Sequence, residues 1–175
     1  MFRTVEFVAI AAMLSCAAGI VRADEQVVPL AINGDWAAAE YRPSMITPPD
    51  VCLLTSGTGH IALRADSDAV QFRVVNDNWA LPAHVSGDIA VTVGNWTTTL
   101  TIDDSTDTMV NAEIDKDVVV PMLNAMDKAN SMSVTVGKAK SFQVSLAGSM
   151  RAANAFRTCA RIPGATNASG ANPFE

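Results

Sequence analysis

Ile89-Ala90-Val91-Thr92-Val93-Gly94-Asn95-Trp96-Thr97-Thr98-Thr99-Leu100-Thr101-Ile102 is the stretch on which the fold turns. Ile89, Val91 and Val93 alternate with Ala90 and Thr92, and beyond Gly94 the alternation resumes with Thr98, Leu100 and Ile102 on one side. A period of two sends successive side chains to opposite faces, so each half reads as a half-buried strand, with Gly94 where a turn is needed. Outward from this pair, Phe72, Val74 and Asn76 alternate with Gln71, Arg73 and Val75. Met132-Val134-Val136 and Phe142-Val144-Leu146 repeat the pattern, Met109 to Ile114 repeats it more weakly, and Gly87 and Gly137 supply further turns. Short strands at intervals of roughly ten residues predict a mainly β fold, a single antiparallel β-sandwich or partly open barrel, rather than alternating βαβ units.

Two segments depart from this period. In Val118 to Asn130, Val119, Leu123 and Met126 recur at helical spacing, and Pro121 is read as belonging to the first turn. Ser149 reads as the N-cap of a C-terminal helix running to about Ala160, with Ala152, Ala155, Phe156 and Cys159 on one buried face. The prolines of Arg42 to Asp50 mark a connecting loop, and residues 24–35 read as a leader that enters the fold near Gly34-Asp35-Trp36. Met122, Met126 and Met132 are assigned to the core.

With 175 residues, 49% of them hydrophobic and 17% charged, the chain has enough apolar surface for one folded domain and is not of the disordered class. Lys plus Arg number 12 against 18 Asp plus Glu, a net charge of −6, and no basic run is available to neutralise a row of phosphates, so nucleic acid is not an expected partner. Two histidines and three well-separated cysteines exclude a Cys-rich zinc site or an iron–sulfur cluster, and no cofactor is expected.

Arg3, the apolar run from Phe7 to Ile20 and the small residues of Val21-Arg22-Ala23 read as a secretory signal covering residues 1–23. The run is too short to span a membrane, so no transmembrane helix is expected once it is cleaved. Met13-Leu14-Ser15-Cys16 supports a second reading as a lipobox, with Cys16 as a lipid anchor. A β-rich exported domain, 24–163, and a disordered tail, 164–175, complete the division. Export leaves Cys52 and Cys159, and two cysteines in an oxidising compartment most simply form one disulfide, which would tie the last helix to the loop that begins the sheet. The expected location is periplasmic or secreted.

Candidate chemistry is sparse. Asp103, Asp104 and Asp107, followed by Glu113, Asp115 and Asp117, offer oxygen ligands of the kind Ca²⁺ takes, but the EF-hand positions fail and a solvated hairpin turn is the preferred reading. His60 and His84 have no partner at ligand-like or triad-like spacing, and Ser56 lacks the strand–turn–helix context of a hydrolase nucleophile. Trp36 reads as core or rim, whereas Trp79 and Trp96 are the candidates for a binding surface, because a tryptophan exposed on a secreted β domain often marks one.

Several of these pieces recur together in a known family. Gly34-Asp35-Trp36, Cys52-Leu53-Leu54, the strand ending in Ile102-Asp103-Asp104, the Pro121-Met122-Leu123 to Lys128 helix, and Phe142-Gln143-Val144-Ser145-Leu146-Ala147-Gly148-Ser149 before an Ala-rich helix resemble the invasion-associated locus B family of bacterial exported proteins. The resemblance spans roughly Gly34 to Arg161 and implies a small β-rich periplasmic domain whose Ser-Leu-x-Gly segment leads into a C-terminal helix. No cysteine closely follows Trp36, and Asn111 and Ala112 lie where that family carries a mid-chain cysteine pair. The resemblance brings no catalytic residues.

The expectation from sequence is therefore a non-enzymatic binding or accessory protein of the bacterial cell envelope, linked to host contact or envelope function. Polar residues able to do chemistry are scattered singly, whereas proton transfer and nucleophilic attack need convergent groups. The alternative is a small inhibitor or chaperone-like partner of a secreted enzyme that presents an edge strand for β-addition.

Overall fold

The computed structural model describes residues 26–43 and 47–163. The segments expected from sequence as a secretory signal, or a lipobox at Cys16, and as a tail from Gly164 lie outside the described residues. Among the described residues, eleven strands form two antiparallel sheets. The larger runs in the order β1 (Gln26–Asn33), β2 (Trp36–Arg42), β3 (Val51–Ser56), β4 (Ile61–Ala65), β5 (Val70–Val75), β9 (Met109–Ile114), β8 (Asp104–Ser105). The smaller runs β11 (Phe142–Ser145), β10 (Ser131–Val136), β6 (Asp88–Val93), β7 (Trp96–Thr101). Neither sheet closes into a barrel, and the helices are α1 (Lys116–Met126) and α2 (Ser149–Ala160).

The decisive stretch forms the β6–β7 hairpin, with Val93 opposite Trp96 and Ile89 opposite Leu100. Its inward residues Ile89, Val91 and Val93 are fully buried and face the inner row of the large sheet, which includes Leu54, Leu63, Phe72, Val74 and Val110. At about 25 cal/mol per Å² of apolar surface removed from water, this shared layer is the main force holding the two sheets together. Met122, Met126 and Met132 are buried in it, as the sequence predicts.

Three local expectations are corrected. Residues 26–33 are strand β1 and not a leader; Val27-Val28-Pro29-Leu30 lacks clean alternation because a register shift between Pro29 and Ala31 breaks it, and the strand is mostly exposed. Cys52 lies inside β3, third in the sheet, rather than in a loop before it. Helix α1 begins at Lys116, where Asp115 O accepts from Val118 N and Val119 N, so Pro121 falls in the interior of the helix and not in its first turn.

The start of α2 also differs. Gly148 is the N-cap, and the Ser149 hydroxyl donates to Met126 O at 3.1 Å, tying the two helices together. The buried face of α2 carries Ala152, Ala153, Phe156 and Arg157, with Cys159 half-buried beside it. Arg157 is fully buried and its guanidinium donates to Asn154 Oδ1 at 2.7 Å, to Asp127 Oδ2 at 2.9 Å and to Asn124 Oδ1 at 3.2 Å. A charge this deep is tolerable only because it is paired and hydrogen-bonded. It clamps α2 to the C-terminal end of α1.

Candidate functional site

The β10–β11 hairpin and the ends of β4 and β5 diverge at one end of the sandwich and leave a cleft of about 440 Å³. Trp79, Phe142 and His60 supply aromatic wall, Asn76 and Gln143 supply amides, and Lys140 supplies the one cationic side chain of the lining. Each arrives by a local cause. His60 stands at the end of the Ser56–His60 turn, which is closed when Ser56 Oγ accepts from Ile61 N at 3.2 Å. Trp79 sits in the turn that follows β5, with its N–H donating to Asn76 O at 2.9 Å, while the Asn76 side chain accepts from Asn78 N at 3.0 Å.

The His60 ring meets Phe142 edge-on, with centroids 6.4 Å apart and planes at 69°. Its Nδ1 lies 3.1 Å from Val75 O, and because a carbonyl oxygen can only accept, Nδ1 carries the hydrogen of that bond. That backbone bond holds the imidazole where a catalytic histidine would have a carboxylate. Carboxylate, hydroxyl and thiol side chains do not line the cleft among the described residues. What the arrangement can do is grip: two aromatic faces take an apolar or ring-bearing group, the amides and imidazole take hydrogen bonds, and Lys140 takes negative charge.

The structure separates the two tryptophans named from sequence. Trp79 lines the cleft, at the end of β10 marked by Val136. Trp96 begins β7 opposite Val93, which in turn pairs with Met132 at the other end of β10. Both rings are half-buried against the core, and Trp36 is buried with its indole Nε1 donating to Ser145 O at 2.8 Å. His60 joins Trp79, whereas His84 is exposed in the loop before β6 with φ of 61°.

Ser56 is buried and spends its hydroxyl on the turn. The acidic stretch is used locally: Asp103 Oδ2 accepts from Glu113 N at 2.5 Å, Asp104 Oδ1 from Ser105 N at 2.8 Å, and Asp107 O from Leu81 N at 2.9 Å. Among the described residues no three His, Cys, Asp or Glu side chains are grouped so as to hold a metal ion. Lys140, Phe142 and Gln143 escape notice in sequence as site residues, because only the pairing of β10 with β6 and β11 carries them to the cleft beside Trp79.

Cys52 and Cys159 are joined as a disulfide, Cα–Cα 5.9 Å, linking β3 to α2. Glu40, almost fully buried on β2, lies against it with Oε2 4.0 Å from Cys159 Sγ, and Glu40 Oε1 accepts from Arg42 Nε at 2.5 Å. The two bridged cysteines also line an open depression, together with Asp50, Asp66, Asp68, Glu113, Asp115, Asp117, Lys116 and Arg161. Asp66 is held below the usual carboxylate range, first by the backbone N–H groups of Ala69 and Asp68 and then by Arg64. No helix among the described residues is long and apolar enough to cross a membrane.

A scan against protein families and a search of curated proteins each give no match. Among solved structures, this chain is similar to the crystal structure of invasion associated protein B from Bartonella henselae, with a TM-score of 0.46 and 14% sequence identity over 75% of this chain and 97% of that one.

Proposed function

We propose that this protein is a non-enzymatic binding module of the bacterial cell envelope, periplasmic or secreted, and that it engages a protein or envelope partner at the Trp79 cleft. The observation that carries this reading is the composition of the cleft: aromatic walls, amides and one lysine, with the one histidine of the lining bonded to a backbone carbonyl. Such a surface recognises an apolar or ring-bearing group next to a negative charge. The Cys52–Cys159 bridge supports a life in an oxidising compartment.

The motif resemblance to the invasion-associated locus B family supports the envelope assignment. Its first and last pieces, Gly34-Asp35-Trp36 and Ser145-Leu146-Ala147-Gly148, lie in contact: Asp35 N donates to Ala147 O at 2.9 Å, and Trp36 Nε1 donates to Ser145 O. Two short segments far apart in sequence are thereby explained by one structural pin.

The test is affinity capture from envelope extract with the wild-type protein and with Trp79→Ala and Lys140→Glu. A partner held by wild type and released at least tenfold more readily by both variants is the expected result. Hydrolysis in a broad substrate screen that disappears in His60→Ala would overturn the proposal, as would partner capture indifferent to both substitutions.

A further inference from the structure

We propose that the free edge of β7 pairs with the β7 edge of a second copy, joining the two small sheets into one eight-stranded sheet across a two-fold axis. The two sheets have four edges. β8 is two residues long, β11 is four, and β1 carries Pro29, which has no N–H, next to a break in register. Each is blunted by one of the usual means. β7 is different: Trp96-Thr97-Thr98-Thr99-Leu100-Thr101 is regular, six residues long, free of proline and charge, and pairs on one side alone, with β6. Among the described residues, no backbone hydrogen bond reaches its outer side.

The register of the hairpin says which groups are free. Val93 and Trp96 flank the two-residue turn Gly94-Asn95 and are the closing hydrogen-bonded pair, so Val91–Thr98 and Ile89–Leu100 are hydrogen-bonded pairs as well. Thr97, Thr99 and Thr101 therefore turn both N–H and C=O away from β6, toward the open edge. Their side chains are exposed on the outer face of the sheet, in line with Thr92 and Ala90 of β6 and Ser133 and Thr135 of β10, where Asp88 is the one charge on the three strands.

A second copy is the occupant because this edge is complementary to itself. Antiparallel pairing centred on Thr99 sets Thr99 against Thr99 of the other copy and Thr97 against its Thr101, so every free donor meets a free acceptor. Each outer-face pair is then Thr with Thr, a favourable cross-strand combination, and no like charges are opposed. The same register brings the half-buried Trp96 opposite Ile102 of the other copy. β7 is the edge of the small sheet opposite β11, so pairing there leaves both Trp79 clefts open, one toward each end of the joined sheet.

Sedimentation equilibrium on protein purified from cells expressing the full chain tests this. The wild type is expected to dimerise in the micromolar to tens-of-micromolar range. Thr99→Lys and Thr99→Glu, at an exposed site that leaves the monomer folded by circular dichroism, are expected to raise the dissociation constant about tenfold or more, because each sets like charges face to face on the axis. Mixing the two variants is expected to restore the dimer. A wild type that stays monomeric at hundreds of micromolar, a dimer untouched by Thr99→Lys, or an edge that captures unrelated strand peptides in preference to itself would each overturn the proposal.

Discussion

Gly148 and Gly34 sit where the chain crosses itself, and the crossing leaves no room for a side chain. A Cβ built on Gly148 would lie 2.0 Å from Asn33 O, and one on Gly34 would lie 2.5 Å from Ala147 O. Both residues also adopt positive φ, +84° and +56°, which L side chains rarely accept. The contact is what lets Asp35 N reach Ala147 O and sets the N-terminus of α2 against the β1–β2 turn. Gly148→Ala is expected to lower stability by about 3 kcal/mol or more, since backbone and not a flexible side chain must yield. Urea denaturation at neutral pH checks this, and a loss below about 1 kcal/mol would show that the crossing is soft. A Leu-x-Gly-Ser segment tells a reader of sequence that something close-packed is present; the partner, Asn33, is visible only in the fold.

Among the elements, α1 is built against its own propensity. Pro121 is the sixth residue of an eleven-residue helix, so the hydrogen bond that residue 121 would give to Asp117 O is missing and the ring crowds that carbonyl. The helix survives because Val119, Met122, Leu123 and Met126 are buried to 1% exposure or less. Tertiary burial outweighs a local penalty of about 3 kcal/mol. Pro121→Ala is accordingly expected to stabilise the protein by about 1 kcal/mol, the gain in the helix being partly offset by the freer unfolded chain. A rise in thermal midpoint checks it; a fall would mean that packing of the proline ring outweighs the missing bond. The strands divide in the same way. Where alternation is clean, as in β5, β6 and β7, sequence alone finds them. β2, β3 and β4 alternate Trp36/Ala38/Glu40, Cys52/Leu54/Ser56 and Ile61/Leu63/Ala65 inward, but their outward residues Ala37, Ala39, Leu53 and Ala62 are also apolar and mask the period.

For the whole molecule, one covalent cross-link spans most of the described chain. Cys52 and Cys159 are separated by 107 residues, and α2 packs across β1, β2 and β3 just where the bridge fastens it. The chain-entropy model puts such a loop at about 4 to 5 kcal/mol, and native-state effects reduce what is measured. Reduction, or Cys52→Ser with Cys159→Ser, is expected to lower stability by about 3 to 5 kcal/mol, read as a shift in urea midpoint with and without reductant. A shift under about 1 kcal/mol would show that the sheet and helix hold each other without the bridge.

The residues by themselves determined the class of the fold, most of its strands, the two helices of the described residues and the pairing of Cys52 with Cys159, because alternation, helical spacing and cysteine number are local or countable properties. Tertiary structure alone decided that Trp79 meets His60, Phe142 and Lys140 while Trp96 does not, that two motifs at opposite ends of the domain are one contact, and that β7 is paired by a strand on one side only. Those outcomes depend on which strands become neighbours. Neighbour choice in an antiparallel sandwich is set by the sum of many burial energies across the core, and no short window of sequence contains that sum.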